Sequence, residues 1–216
     1  MIGAVLPLAL VVGLSPLPIL PAVLLLMTPR ARANGVAYLI AWLLGLTSVV
    51  LAALWLGSLA DPDPATEQSV GWLQVGTGAV FLVMAGVKWL TRPRAGKPKE
   101  SPGWLAALGA ATPRSSARLG ALLAMLNPKN LAMALAAGAE VAYLAQGPSQ
   151  AAVGVIGFVL VGSIGVATPI LGSLVLGERA APLLERARSW LERHSTALSI
   201  GVLVVLGVLM IVQGLP

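Results

Sequence analysis

The stretch AMLNPKNLAMAL, residues 124–135, sets Asn127, Pro128, Lys129 and Asn130 inside a run otherwise apolar enough to cross a membrane. Each of the four opposes a spanning helix for its own reason. Pro128 deletes a helix hydrogen bond and clashes with the preceding turn. It also pushes Asn127 out of helical geometry. Lys129 carries a charge that costs about 2.5–3.5 kcal/mol at the centre of a bilayer. Whether this is a flawed helix or a helix broken on purpose decides the fold.

The surroundings favour the second. The chain has 216 residues, of which 57% are hydrophobic and only 10% charged, against about 25% charged in a soluble domain. Apolar segments fall at roughly 2–27, 35–60, 70–90, 119–145, 151–176 and 196–215. Each matches the ~20 residues that a bilayer core of ~30 Å requires. The expected class is therefore all-α and integral to the membrane, with six spanning helices. Alternating polar and apolar residues are nearly absent, which argues against a barrel. The first segment has no basic stretch before it and no small-residue cleavage signal, so it reads as a retained helix.

Charge orders the loops. Loop one (TPRARAN) holds Arg30 and Arg32, and loop two (DPDPATEQS) holds only Asp61, Asp63 and Glu67. The third, with its flanks, holds Lys88, Arg92, Arg94, Lys97, Lys99, Arg114 and Arg118. Loop four (QGPSQ) is uncharged, and loop five holds Arg179, Arg186, Arg188 and Arg193. Every basic residue except Lys129 thus lies in an odd-numbered loop. By the positive-inside rule those loops are cytoplasmic and both termini are outside. The net charge of +6 is a topology signal rather than a nucleic-acid footprint. With no cysteine and one histidine, His194, disulfides, thiolate metal sites and His clusters are excluded. No catalytic constellation, cofactor motif or nucleotide-binding loop is present, so an enzyme is not expected.

A second broken segment matches the first. Helix one contains GLSPLPILP, with Ser15 before Pro16 as Asn127 stands before Pro128. Ser15 lies ~20 Å below the outer face, and Asn127 ~12 Å above the inner one, at 1.5 Å per residue. In a core of ~30 Å these are nearly the same level. The two helices run in opposite directions, so the chain reads as two inverted three-helix repeats: 1–95 and 119–216, joined by a cytoplasmic loop over 96–118. Paired broken helices in such repeats mark transporter sites near the midplane. The candidate binding set is Ser15, Pro16, Pro18, Asn127, Pro128, Lys129 and Asn130. Lys129 has two readings, a contact for an anionic substrate or a cap on the broken carbonyls of helix one. Glu140, three turns further along, is a coupling or exit-gate group, or an acid facing the outer headgroups.

Three smaller features remain. Thr168-Pro169 is expected to interrupt helix five. Trp104, Leu105 and Leu108 suggest a short interfacial turn. Residues about 178–193 form an amphipathic helix on the inner leaflet, with Leu183, Leu184, Ala187, Trp190 and Leu191 on one face. That helix is a connector or a substrate gate.

The segments GLSPLPI, TPRARANG, NPKNLAMALAAG and RSWLERHSTALSIGVLVVLGVLMIVQGL resemble the GAP family, the sulfolipid- or peptidoglycolipid-addressing proteins of the LysE transporter superfamily. The resemblance spans nearly the whole chain. It implies a LysE-like fold in an actinobacterial plasma membrane, and export or flipping of an anionic lipid or glycolipid toward the cell surface. It carries over to Ser15, Pro16, Asn127, Pro128, Lys129 and Asn130, but not to Glu140. Membrane lipids are then the partners, with a larger lipid pump or a second copy of the chain as further ones. The alternatives are a LysE-like exporter of a small solute such as an amino acid, and a non-transporting accessory subunit.

Overall fold

The computed structural model describes residues 2–59, 64–91 and 110–214. The turn expected at Trp104, Leu105 and Leu108 lies outside them. The regular structure of these residues is helical: α1 (Ile2–Gly13), α2 (Pro16–Leu25), α3 (Ala31–Ser58), α4 (Pro64–Leu90), α5 (Pro113–Met125), α6 (Pro128–Leu144), α7 (Pro148–Leu176), a 3-10 turn (Gly177–Ala180) and α8 (Ala181–Gly214). Three of these, α3, α7 and α8, are long and apolar enough to cross a membrane. The pairs α1–α2 and α5–α6 also qualify if each is one bent span, which makes five.

Prolines explain where the helices begin. Pro16, Pro113, Pro128 and Pro148 each stand in the first turn of a helix. There a missing N–H costs nothing and the fixed φ is already helical. Thr112 caps α5 through a reciprocal exchange with Ser115, the capping-box arrangement. Pro169 behaves differently from the expectation. α7 passes through it without a break. One lost hydrogen bond is tolerated in a spanning helix held by its neighbours, and α1 and α3 both pack on α7.

α8 is a second departure. The amphipathic stretch and the last apolar segment form one helix of 34 residues, because no proline or glycine separates Leu183 from Thr196. At 1.5 Å per residue it is ~51 Å long. Leu184 and Leu191 are buried, whereas Leu183 and Trp190 are about half exposed. The apolar face inferred from the sequence is thus split between a packed side and an open one.

By compactness the chain forms two units, each drawing on both halves of the sequence. The first comprises Met1–Leu59 and Glu100–Arg193, the second Ala60–Lys99 and His194–Pro216. In the first unit, α3 lies along both α5 and α6, α1 lies along α7 and α6, α2 touches α5, and α3 touches α7. Glycines set these distances. A Cβ at Gly120 would come 2.5 Å from the Tyr38 carbonyl, and one at Gly138 would come 2.6 Å from that of Val50. In lipid, apolar surface gains little by leaving one hydrocarbon environment for another, so close van der Waals approach between small residues carries the packing. In the second unit the same device joins α4 to the end of α8, where a Cβ on Gly78 would stand 2.6 Å from the Gly207 carbonyl.

Candidate functional site

The two breaks have the same local geometry. Ser15 caps α2 with φ −71° and ψ 118°, and Asn127 caps α6 with φ −69° and ψ 115°. Both are extended, the geometry favoured for a residue before proline. The bends that result are 49° between α1 and α2 and 61° between α5 and α6. Ser15, Pro16, Pro18 and Asn130 are buried, Asn127 and Lys129 are partly so, and Pro128 is exposed.

A break leaves carbonyls without their usual partner four residues on, and inside a membrane each must be satisfied. The Ser15 N–H turns to the Val12 carbonyl at 3.1 Å, which abandons the carbonyl of Val11, four residues before Ser15. The corresponding carbonyl four residues before Asn127 is that of Leu123. It accepts from Asn130 Nδ2 at 3.1 Å, so α6 repairs the end of α5 with its own side chain. The position matching Asn130 in the first motif is Pro18, which has no donor. The donor comes instead from the other half of the chain: Lys129 Nζ reaches the Val11 carbonyl at 3.0 Å. Asn127 Oδ1 accepts from the Lys129 N–H at 3.2 Å, capping α6. The amides thus serve the break itself, and Lys129 ties the start of α6 to the end of α1. Asn130 Oδ1 remains buried with no hydrogen-bond partner among the described residues.

One set of residues escaped the sequence reading. Asn34, Tyr38 and Trp42 are all fully buried on α3. Asn34 Nδ2 donates to Thr28 Oγ1 at 3.0 Å and to the Ala111 carbonyl at 3.1 Å. Tyr38 Oη donates to the Pro18 carbonyl at 2.8 Å, and Trp42 Nε1 donates to Ser163 Oγ at 3.1 Å. α3 therefore holds loop one, α2, the residue preceding the α5 cap, and α7 by directed bonds. The spacing of four along an apolar segment was the available signal, since residues at i and i+4 share a helix face.

Glu140 stands on α6, half-buried, with no ion-pair partner among the described residues. Eleven residues separate it from Lys129, a rise of ~16 Å, so the two do not meet. Ser48 donates to the Gly45 carbonyl at 2.8 Å, the local backbone bond expected of hydroxyls in spanning helices.

The family described as Sap, sulfolipid-1-addressing protein, matches residues 5–216. The chain belongs to this family. The match takes in both proline breaks, Lys129 and the whole of α8, and it gives the resemblance first seen in short segments nearly full-length support. No curated protein and no solved structure matches the chain. With its apolar helices, this sulfolipid-addressing family member is a multi-pass membrane protein with a part in lipid handling.

Proposed function

We propose that the chain carries an anionic lipid or glycolipid from the cytoplasmic leaflet toward the cell surface, with Lys129 as the group that meets the anion. The bond from Lys129 Nζ to the Val11 carbonyl carries this reading. A neutral carbonyl is a modest partner for a full cation, whereas charge-assisted bonds to phosphate, sulfate or carboxylate are about twice as strong. An anionic headgroup arriving at the break competes for Lys129 and releases α1 from α6. The starts of α2 and α6 add the positive ends of their dipoles. The orphaned Asn130 Oδ1 offers an acceptor to a headgroup hydroxyl. The substrate reading and the capping reading of Lys129 are then two states of one residue.

The contact pattern supports an inverted repeat as the scaffold. If α1–α2, α3 and α4 correspond to α5–α6, α7 and α8, exchanging the halves turns the α1–α7 contact into α5–α3. It also turns α1–α6 into α5–α2, and the α3–α7 contact into itself; all of these contacts are present. On this reading α4 is the sixth span, both termini lie outside, and the arrangement is LysE-like. The chain performs no covalent chemistry.

The test is lipid flipping in vesicles that contain this chain alone. Wild type is expected to move a labelled anionic lipid, and Lys129→Met to lose at least about tenfold in rate while inserting normally. Flipping by Lys129→Met at the wild-type rate overturns the reading. No flipping by wild type, with intact protein, turns it toward an accessory role beside a larger pump.

A further inference from the structure

A cavity of about 770 Å³ opens where loop one meets the end of α7 and the start of α8, and it takes none of the residues of the proline breaks. Its wall includes Arg30, Arg32, Thr28, Ser173, Leu26 and Leu184. Positive-inside topology explains why arginines stand in loop one. It does not explain why they border a cavity whose floor is apolar. We infer that this cavity docks the anionic headgroup of a lipid standing in the cytoplasmic leaflet.

Four observations carry the inference. Both arginines are exposed, and neither joins an ion pair among the described residues. The polar groups beside them do not compete. Thr28 donates to the Leu25 carbonyl at 2.7 Å and Ser173 to that of Ile170 at 2.8 Å, so the donors open to a ligand are the guanidinium groups. Arginine offers these as a planar fork that matches phosphate or sulfate. The backbone turns beside them: Gly177 stands at φ 56°, a conformation that favours glycine, and Arg32 Nη2 lies 4.0 Å from where a Cβ on it would be. Finally, the rest of the site is apolar. Leu26 and Leu184 are buried in it, and Met27, also in its lining, is exposed at 41%. α3 also begins at this point with no side-chain cap on Arg30, and the positive end of a long helix reinforces the two cations.

A small inorganic anion would use the arginines and leave the apolar floor bare. A lipid uses both, its headgroup on Arg30 and Arg32 and its chains along Leu26, Met27 and Leu184. The place of this site in transport, as the point where a lipid is taken up before it reaches Lys129, rests on the function proposed above. The binding itself does not.

The full chain in detergent micelles, analysed by native mass spectrometry with phosphatidylglycerol and phosphatidylcholine, provides the test. Wild type is expected to retain phosphatidylglycerol in preference to phosphatidylcholine. Arg30→Gln/Arg32→Gln is expected to lower that preference about thirtyfold, given roughly 1 kcal/mol for each of the two basic residues near an anionic lipid. Lys129→Met is expected to keep the preference even where flipping is lost, which separates this site from the one at the breaks. An unchanged preference in the double glutamine variant overturns the inference. So does its loss in Lys129→Met alone. Displacement of phosphatidylglycerol by millimolar sodium sulfate would make this a small-anion site and overturn the assignment to lipid. Should the glutamine variant fail to insert, Ala181→Trp decides. It fills the cavity from an exposed helix start without altering charge, and retention of the wild-type preference there overturns the inference.

Discussion

Lys129 sits where two requirements meet. The Val11 carbonyl needs a donor because Pro16 ends α1, and the first motif has Pro18 where the second has Asn130. A lysine from the opposite break meets that need at 3.0 Å. Removing the charge relieves the cost of burying it but leaves the carbonyl bare, so Lys129→Met is expected to change stability little while abolishing flipping. Lys129→Arg should retain part of the activity, because its planar fork keeps the charge in a different shape; the rates in vesicles measure both. Asn130 is the contrasting case. Asn130→Leu strips the donor from the Leu123 carbonyl with no charge to relieve, and should cost about 1–3 kcal/mol. A lowered unfolding midpoint in detergent checks this. An unchanged midpoint would mean that water already serves that carbonyl.

Among the elements, α3 is the strut. It packs on both halves of the second broken span and directs hydrogen bonds from one face. Its closeness to α6 depends on Gly138, where a Cβ would meet the Ala53 Cβ at 2.5 Å and the Val50 carbonyl at 2.6 Å. Backbone atoms cannot yield as side-chain tips do, so Gly138→Val should separate the helices and lower the unfolding midpoint clearly. Gly157, on α7, has nothing within 4 Å of a Cβ. Gly157→Ala should be neutral or stabilising by up to ~1 kcal/mol, since alanine is the better helix former. The two variants, heated side by side, test whether close approach or helix propensity governs each position. Equal losses would sink the packing argument.

For the whole molecule the question is orientation. The basic residues of the odd-numbered loops call for both termini outside. The chain has no cysteine, so single cysteines report position without background. Cysteines placed at Gly3 and at Gly214 should react with a membrane-impermeant maleimide on intact cells. One at Ala33 should react only after permeabilisation. Labelling of Ala33→Cys from outside would reverse the topology and move the cavity beside Arg30 and Arg32 to the wrong leaflet.

Covalent geometry and transfer energies made several features legible in the residues alone. Pro16 and Pro128 were suited to open new helices, since proline cannot donate and constrains the residue before it. Apolar segments as long as those of α3 and α7 had to be helices fit to cross a membrane, and Lys129 had to find polar company. None of this required knowledge of neighbours. The partner of Lys129 did require it: nothing local says that its ammonium meets Val11, 118 residues away. The same holds for Asn130, whose amide turns to its own preceding helix, and for Pro169, whose lost bond α7 absorbs because α1 and α3 hold it. The roles of Tyr38 and Trp42 also belong to the tertiary structure, because an aromatic residue in an apolar run looks alike whether it faces lipid or a helix. In a bilayer both surroundings are apolar, so hydropathy cannot tell the inside of the protein from its outside, and only packing decides which face of each helix is which.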